Sequence, residues 1–116
     1  MSVKPLLKKD IKEFLYRFDN FLGANIKDIS VIDSTTIEMS LEAQDRALGF
    51  DWVELTLSFS GVSDARLVDN SKLEFLDMSE GIALRADSSF EFAIGSYTDI
   101  KSASCFIVAT SLKVMV

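Results

Sequence analysis

The spacing of the apolar residues changes once along this sequence, close to Gly23. Before that glycine, apolar side chains recur every three or four residues, which is typical of one face of an α-helix. They are Leu7, Ile11, Phe14, Leu15, Phe18, Phe21 and Leu22. After it, apolar and polar residues alternate, which is typical of strands with one wet face. The sequence therefore predicts an amphipathic helix followed by β-strands.

The helix is predicted over about residues 6–22. Its start has two alternatives, with Pro5 at the first helical position or with Asp10 and Glu13 in a capping box. Gly23 is predicted to end the helix, because glycine adopts a left-handed conformation without steric cost.

Strands are predicted over about residues 26–116, and they are expected to be antiparallel because turn sequences separate them every 8–12 residues or so. The clearest are a hairpin that turns at residues 33–34 and a strand over residues 52–60. The apolar run 104–116 predicts one central strand covered on both faces. Shorter strands are predicted at residues 65–68, 73–76, 82–86 and 90–94.

These elements predict a single α+β domain over residues 1–116, with the helix packed on a curled antiparallel sheet of about seven strands. The helix must bury its apolar face, and a sheet face is the available partner. A two-sheet sandwich with the helix at one end is the alternative.

Charge is divided unevenly along the chain. Residues 1–17 hold five basic and two acidic side chains and so carry +3, which leaves −9 on the remainder for a net charge of −6. An acidic body repels phosphate backbones and anionic membrane surfaces. The charge therefore disfavours nucleic acid and membrane as partners and favours a basic protein.

The composition also bears on location. No apolar run approaches the roughly 18 residues of a membrane span, and charges at residues 8–10 interrupt the stretch that a signal peptide would keep apolar. Cys105 is the only cysteine, so no disulfide can form within the chain. These features predict a cytoplasmic protein. Cys105 itself lies in an apolar run and is predicted to be a buried structural thiol.

The sequence lacks several residue types and motifs on which enzymes commonly depend. There is no histidine, which removes the commonest general base and the usual metal ligand. The five glycines are scattered singly, so no phosphate-binding loop is present. The sequence therefore predicts a protein that is not an enzyme and holds no cofactor.

One local group of oxygen-bearing side chains raises the question of a calcium site. Its members are Asp64, Asp69, Asn70, Asp77 and Glu80. Their spacing matches no EF-hand, so solvated turn residues are the favoured interpretation.

Trp52 is the most informative aromatic residue. In the alternation of its strand it falls on the polar face, together with Glu54. Phe50 and Tyr97 are expected in similar half-exposed settings. An aromatic on a polar face is typical of an interface anchor, so these four residues are predicted to contact a partner. The alternative is that Trp52 covers the sheet edge or meets the helix.

A segment covering about half of the chain resembles a known group of proteins. It runs over residues 21–84, with the lead-in FLGANIKDI at 21–29, a polar-apolar hairpin, the strand end LSFSGV at 57–62 and an acidic stretch at 77–81. In this order it is similar to small bacterial β-rich families of uncharacterised or immunity-type proteins, including those described as YxiG-like. The resemblance implies no catalytic residues.

The favoured hypothesis is therefore a bacterial protein-binding domain, of the immunity type, that neutralises a basic toxin. Its oligomeric state stays open. One alternative is an assembly module that self-associates through sheet edges. Another is a small-ligand-binding domain that uses carboxylates on a concave sheet face.

Overall fold

The computed structural model describes residues 3–95 and 99–116. Within these ranges the chain forms one α-helix and nine strands. They are β1 (Val3–Pro5), α1 (Ile11–Arg17), β2 (Asn25–Asp33), β3 (Thr36–Asp45), β4 (Asp51–Ser60), β5 (Asp64–Arg66), β6 (Ile82–Ala86), β7 (Phe90–Ile94), β8 (Phe106–Ala109) and β9 (Ser111–Met115). Short 3₁₀ turns occupy Lys8–Asp10, Asp19–Phe21, Arg46–Leu48, Asn70–Phe75 and Ile100–Ser102.

The strands form two antiparallel sheets. One has five strands in the order β1-β9-β4-β3-β2, and the other has four in the order β5-β8-β7-β6. The α+β class and the antiparallel strands are confirmed. The single curled sheet of about seven strands is wrong, because strands with one apolar face are covered here by a second sheet.

The main hydrophobic core lies between the two sheets. Phe59 of β4 and Phe92 of β7 are both fully buried, with ring centroids 5.3 Å apart. The buried cluster around them takes side chains from both sheets and from the region of α1. The two sheets therefore share one core.

In the described part of the chain, the backbone passes between the sheets at two points that lie side by side. One is the link from β4 to β5 and the other is Thr110, between β8 and β9. Thr110 N–H donates to Ser60 O at 3.1 Å, which ties the two crossings together. The prediction of one strand over 104–116 is therefore wrong. All four residues of β8 are buried, as expected for a central strand, but β9 alternates and belongs to the other sheet.

The helix is shorter than predicted. Instead of residues 6–22 it covers Ile11–Arg17. Pro5 lies in β1, at the edge of its sheet, where a missing N–H is tolerated. Asp10 does precede the helix, but its side chain makes no capping hydrogen bond. The start at Pro5 is therefore wrong, whereas the start at Asp10 is correct in position but lacks the hydrogen bond of a capping box.

The early end of the helix has a backbone cause. Asp19, Asn20 and Phe21 have φ values of +55°, +52° and +59°, a left-handed conformation that cannot continue α1. This turn brings the ring of Phe21 to 5.4 Å from that of Phe18, and both side chains are buried. Aromatic burial therefore overrides the helical pattern well before Gly23.

The predicted hairpin is confirmed as β2 and β3, and the strands predicted at residues 82–86 and 90–94 are confirmed as β6 and β7. Residues 73–76 were predicted as a strand, but residues 73–75 lie in the 3₁₀ turn Asn70–Phe75, which packs on β2, and Leu76 follows it directly. The Ile29 N–H donates to Asn70 Oδ1 at 3.0 Å. This turn therefore covers part of the exposed edge of β2.

Candidate interaction surface

The connection between β3 and β4 forms a tight hairpin tip over residues 46–50. The Asp45 side chain accepts a hydrogen bond from the Ala47 N–H at 2.9 Å. The backbone carbonyl oxygen of Asp45 accepts a second one from the Phe50 N–H, also at 2.9 Å. Phe50 has a φ of +67°, which is uncommon for a residue other than glycine. These bonds hold the backbone that carries the Phe50 ring in one conformation.

A buried ion pair joins the hairpin tip to α1. Arg17 Nε donates to Asp45 Oδ1 at 3.0 Å, and Arg17 Nη2 donates to Asp45 Oδ2 at 2.8 Å. The Asp45 side chain is fully buried, whereas 44% of the Arg17 side chain is exposed. The hydrogen bonds from Arg17, together with that from Ala47, hold the pKa of the Asp45 carboxyl below its usual range. A bidentate pair fixes orientation as well as distance, so it sets the position of the last turn of α1 against the tip.

Arg46 stands between two aromatic rings. Its Cζ atom lies 4.1 Å from the ring centroid of Tyr16 and 4.8 Å from that of Phe50. Its Nε donates to Tyr16 O at 3.0 Å, and its Nη2 donates to Asp19 Oδ1 at 3.2 Å. Guanidinium groups are attracted to aromatic faces. Arg46 therefore keeps both rings in place while they remain accessible to solvent.

Five residues make up what we call the hairpin-tip patch: Tyr16, Arg46, Leu48, Phe50 and Trp52. Four of them are large apolar side chains, each with between 41% and 64% of its surface exposed. Single exposed apolar residues are ordinary, but a group of them marks an interaction surface. The hydrogen bonds and the ion pair described above support Tyr16, Arg46 and Phe50, and Leu48 and Trp52 flank Phe50 along the chain.

Carboxylates lie beside the hairpin-tip patch. Asp51 precedes Trp52, and Glu54 follows it on the same outer face, directly opposite Glu42. Glu42 pairs with Lys27 at 3.0 Å. Within the part of the chain that the structure describes, neither Asp51 nor Glu54 forms an ion pair. Like charges in opposed positions destabilise a sheet, and Lys27 offsets part of this repulsion.

The structure brings together most of the residues that the sequence singled out. Trp52, Glu54 and Phe50 lie in or next to the same strand, β4, and all three are exposed. Trp52 lies on the outer face of the five-stranded sheet, as the alternation predicts. Tyr97 lies outside the described residues.

Sequence reasoning missed Tyr16, Arg46 and Leu48. For Tyr16 a signal existed, because it is an aromatic residue outside the apolar stripe of the predicted helix. For Arg46 there was none, since its stacking depends on α1 and the hairpin tip meeting in space.

The acidic loop residues do not form a metal centre in residues 3–95 and 99–116, where no three metal-ligating side chains come close enough to share an ion. Asp69 and Asp77 each accept a hydrogen bond from the N–H two residues further on, Ser71 at 3.0 Å and Ser79 at 2.9 Å. The bonds from these serines lower the pKa of both carboxyls. These residues therefore stabilise their own turns.

The remaining members of that group have other roles. Asp64 pairs with Lys101 at 3.4 Å. Asn70 Nδ2 donates to Asp28 Oδ1 at 2.8 Å while its Oδ1 covers the edge of β2. Glu80 has an interaction partner of its own. The sequence predicted that these residues belong to turns, and this holds best for Asp69 and Asp77.

Cys105 is fully buried next to β8, which confirms that part of the prediction. Burial raises the pKa of its thiol to about 11. The thiolate is the nucleophilic form, so this side chain is unreactive at neutral pH while the protein is folded.

None of the helices in the described ranges has the length and apolar character needed to cross a membrane.

Comparisons with protein-family models, with curated proteins and with solved structures found no match to this chain. Its function is therefore inferred from the hairpin-tip patch, the carboxylates beside it and the distribution of charge.

Proposed function

We propose that this chain is a non-enzymatic protein-binding domain that recognises a basic partner protein through the hairpin-tip patch. The observation that carries the proposal is the placement of Arg46 between the exposed rings of Tyr16 and Phe50. Tyrosine, tryptophan and arginine are the residues that most often dominate the energy of protein interfaces. Tyr16 and Arg46 are in direct contact here, and Trp52 lies two residues beyond Phe50 on the outer face of β4.

Preorganisation supports the same proposal. An interface loses affinity when its side chains and loops must be ordered on binding. The Arg17–Asp45 pair and the hydrogen bonds of the tip already order the backbone and the Arg46 side chain. A partner would therefore meet a surface that needs little rearrangement.

The charge supports a basic partner. Asp51 and Glu54 lie beside Trp52 without an ion pair among the described residues, and the chain outside residues 1–17 carries −9. Complementary charge speeds association and rejects acidic competitors.

An immunity-type role fits these features. A protein that neutralises a toxin needs a surface that covers the toxin's active site, and it needs no catalytic groups of its own. The absence of histidine from the sequence and the resemblance of residues 21–84 to small immunity-type families favour this role over an enzymatic one.

The test compares the wild-type chain with a variant that lacks two anchors, Tyr16→Ala with Trp52→Ala. Each chain is immobilised and exposed to lysate of the native host, and retained proteins are identified by mass spectrometry. We expect the wild type to retain a basic protein. The double variant should bind the purified partner at least about thirtyfold more weakly, which corresponds to the loss of about 2 kcal/mol from a single hot spot. Phe75→Ala is the matched control, because it removes an exposed aromatic ring outside the patch.

Two further measurements sharpen the result. The association rate with the purified partner should fall steeply as salt rises, because screening weakens charge steering. If the partner is toxic, coexpression with the wild type but not with the double variant should restore growth. A partner bound equally well by the double variant, or at a rate that salt leaves unchanged, would contradict the proposal.

Self-association is the second candidate, and the edge of β2 favours it. Val31 and Ile32 of this edge strand are 64% and 55% exposed. Asn70 covers the edge at Ile29 but not at these residues. Exposed apolar edge strands can pair with another chain.

Sedimentation velocity over a wide range of concentrations tests the second candidate. We expect a dimer for the wild type and a monomer for Val31→Lys, because a charge on the edge opposes pairing. A wild-type chain that sediments as a monomer at every concentration would rule this candidate out.

A further inference from the structure

A cleft of about 580 Å³ opens between α1 and the edge formed by β1 and β9. Its floor is apolar and includes the buried side chains of Leu6, Phe18 and Val114, with Phe14 beside them. Clefts that bind small ligands and anchoring side chains have volumes in this range. The space is large enough for more than one side chain.

The rim of the cleft carries two cations and two carboxylates, Lys4 and Arg17 against Asp10 and Glu13. Arg17 reaches it, but its charge is matched by that of Asp45, to which it is doubly bonded. The other rim charges are Lys4 against Asp10 and Glu13, a balance of −1. None of these three forms an ion pair within the described ranges.

The acidic side chains share one side of the cleft. Asp10, Glu13 and Arg17 follow each other at steps of three and four residues, so they lie along the same face of the helical segment. Phe14 is one step from this line and contributes to the floor. A cation bound by Asp10 and Glu13 would therefore stand directly above an apolar surface.

The cleft also adjoins the hairpin-tip patch. Arg17 lines the cleft. Tyr16, the residue just before it in α1, belongs to the patch. The two surfaces are thus separated by the last turn of one short helix. A partner that covers the patch has the cleft within reach.

We propose that this cleft receives a large apolar side chain followed by a basic residue, both presented by the partner protein. The apolar side chain would pack on Phe14, Phe18 and Val114, and the cation would sit between Asp10 and Glu13. This assignment rests on the proposed function, because it takes the occupant from the basic partner. A preformed pocket beside an aromatic patch is the usual setting of an interface anchor.

The test needs no partner. Acetyl-Phe-Arg-amide is titrated into the folded chain while amide NMR shifts are followed, with acetyl-Phe-Glu-amide as the matched control. We expect saturable shifts at the residues of the cleft, with a dissociation constant on the order of 1 mM as for a weak fragment. The control peptide should bind several-fold more weakly, because its carboxylate would stand beside Asp10 and Glu13.

Rim variants give changes of opposite sign. Asp10→Asn with Glu13→Gln should weaken binding of the Arg peptide by about two- to fivefold, the range of exposed ion pairs, and Lys4→Gln should strengthen it. Equal binding of both peptides, shifts confined to the hairpin-tip patch, or no shifts at all would overturn the assignment. Phe75→Ala removes an exposed ring outside both surfaces and should leave peptide binding unchanged. If the peptide binds but the immobilised chain retains no partner from the lysate, the proposed function is contradicted and the assignment of the cleft is not.

Discussion

Among single residues, Arg17 and Asp45 form the contact on which the candidate site most depends. The carboxylate is fully buried and doubly bonded to the guanidinium. Replacing Arg17 by methionine leaves a buried charge with one hydrogen bond, from the Ala47 N–H. We expect Arg17→Met to lower the free energy of unfolding at pH 7 by about 2–3 kcal/mol, below the range for fully buried pairs because Arg17 is partly exposed.

The pH dependence of this loss follows from the direction of the pKa shift. The pKa of Asp45 is lowered in the folded protein, so its contribution to stability is present above the unfolded pKa of about 3.9 and disappears as pH falls through the folded value. Urea unfolding at several pH values should therefore show the gap between wild type and Arg17→Met closing below about pH 4.

A matched control separates this effect from general acid unfolding. Lys101→Met removes the cation of the exposed pair with Asp64 and should change stability by less than about 0.5 kcal/mol at every pH. A gap between wild type and Arg17→Met that stays constant down to pH 2 or so would show that Asp45 is not the titrating group.

On the scale of secondary-structure elements, the left-handed turn Asp19–Phe21 is the feature that departs most from the sequence pattern. It is held against the turn before β6, where a Cβ added to Gly81 would collide with the backbone oxygen of Asn20. Gly23 has a similar positive φ, +68° against +69° for Gly81, but open space around it. The two glycines therefore differ in crowding and not in conformation.

This pair supplies a prediction. Gly23→Ala should destabilise the protein by about 1 kcal/mol, since it meets only the left-handed penalty. Gly81→Ala should cost about 3 kcal/mol or more, because a backbone atom cannot move aside as a flexible side chain can. Urea unfolding of the two variants measures both values. Equal losses would mean that the contact between the two turns is not tight.

Much at the level of elements was predictable. The hairpins β2–β3 and β6–β7 and the outward position of Trp52 follow from alternation, which depends only on neighbours in sequence. The length of α1 was not predictable, because Phe21 is buried by a turn that helical periodicity does not reveal. The stacking of Arg46 was hidden for the same reason, since Tyr16 and Phe50 are far apart along the chain.

For the whole molecule, the decisive feature is that two sheets share one core. Phe59 and Phe92 meet across it at 5.3 Å, and Thr110 is bonded to Ser60 where the chain crosses between the sheets. Neither sheet keeps an intact core when the other opens. The protein should therefore unfold in one cooperative transition.

Two probes in different sheets test this expectation. Trp52 fluorescence reports on β4, and labelling of the buried Cys105 thiol reports on the four-stranded sheet. Their urea midpoints should coincide, with Cys105→Ala as the control for nonspecific labelling. Cys105 that becomes reactive at urea concentrations where the Trp52 signal is still native would show that the four-stranded sheet opens separately.

The amino-acid sequence by itself determined most of the element types, the apolar and polar faces of the hairpin β2–β3, the burial of Cys105 and the uneven distribution of charge. These properties depend on residue type and on spacing along the chain. The tertiary structure alone decided that the strands divide into two sheets, that the run 104–116 breaks at Thr110, and that Tyr16, Arg46 and Phe50 meet at the hairpin tip. Each of these depends on contacts between residues distant in sequence, where burial of shared apolar surface outweighs local preference.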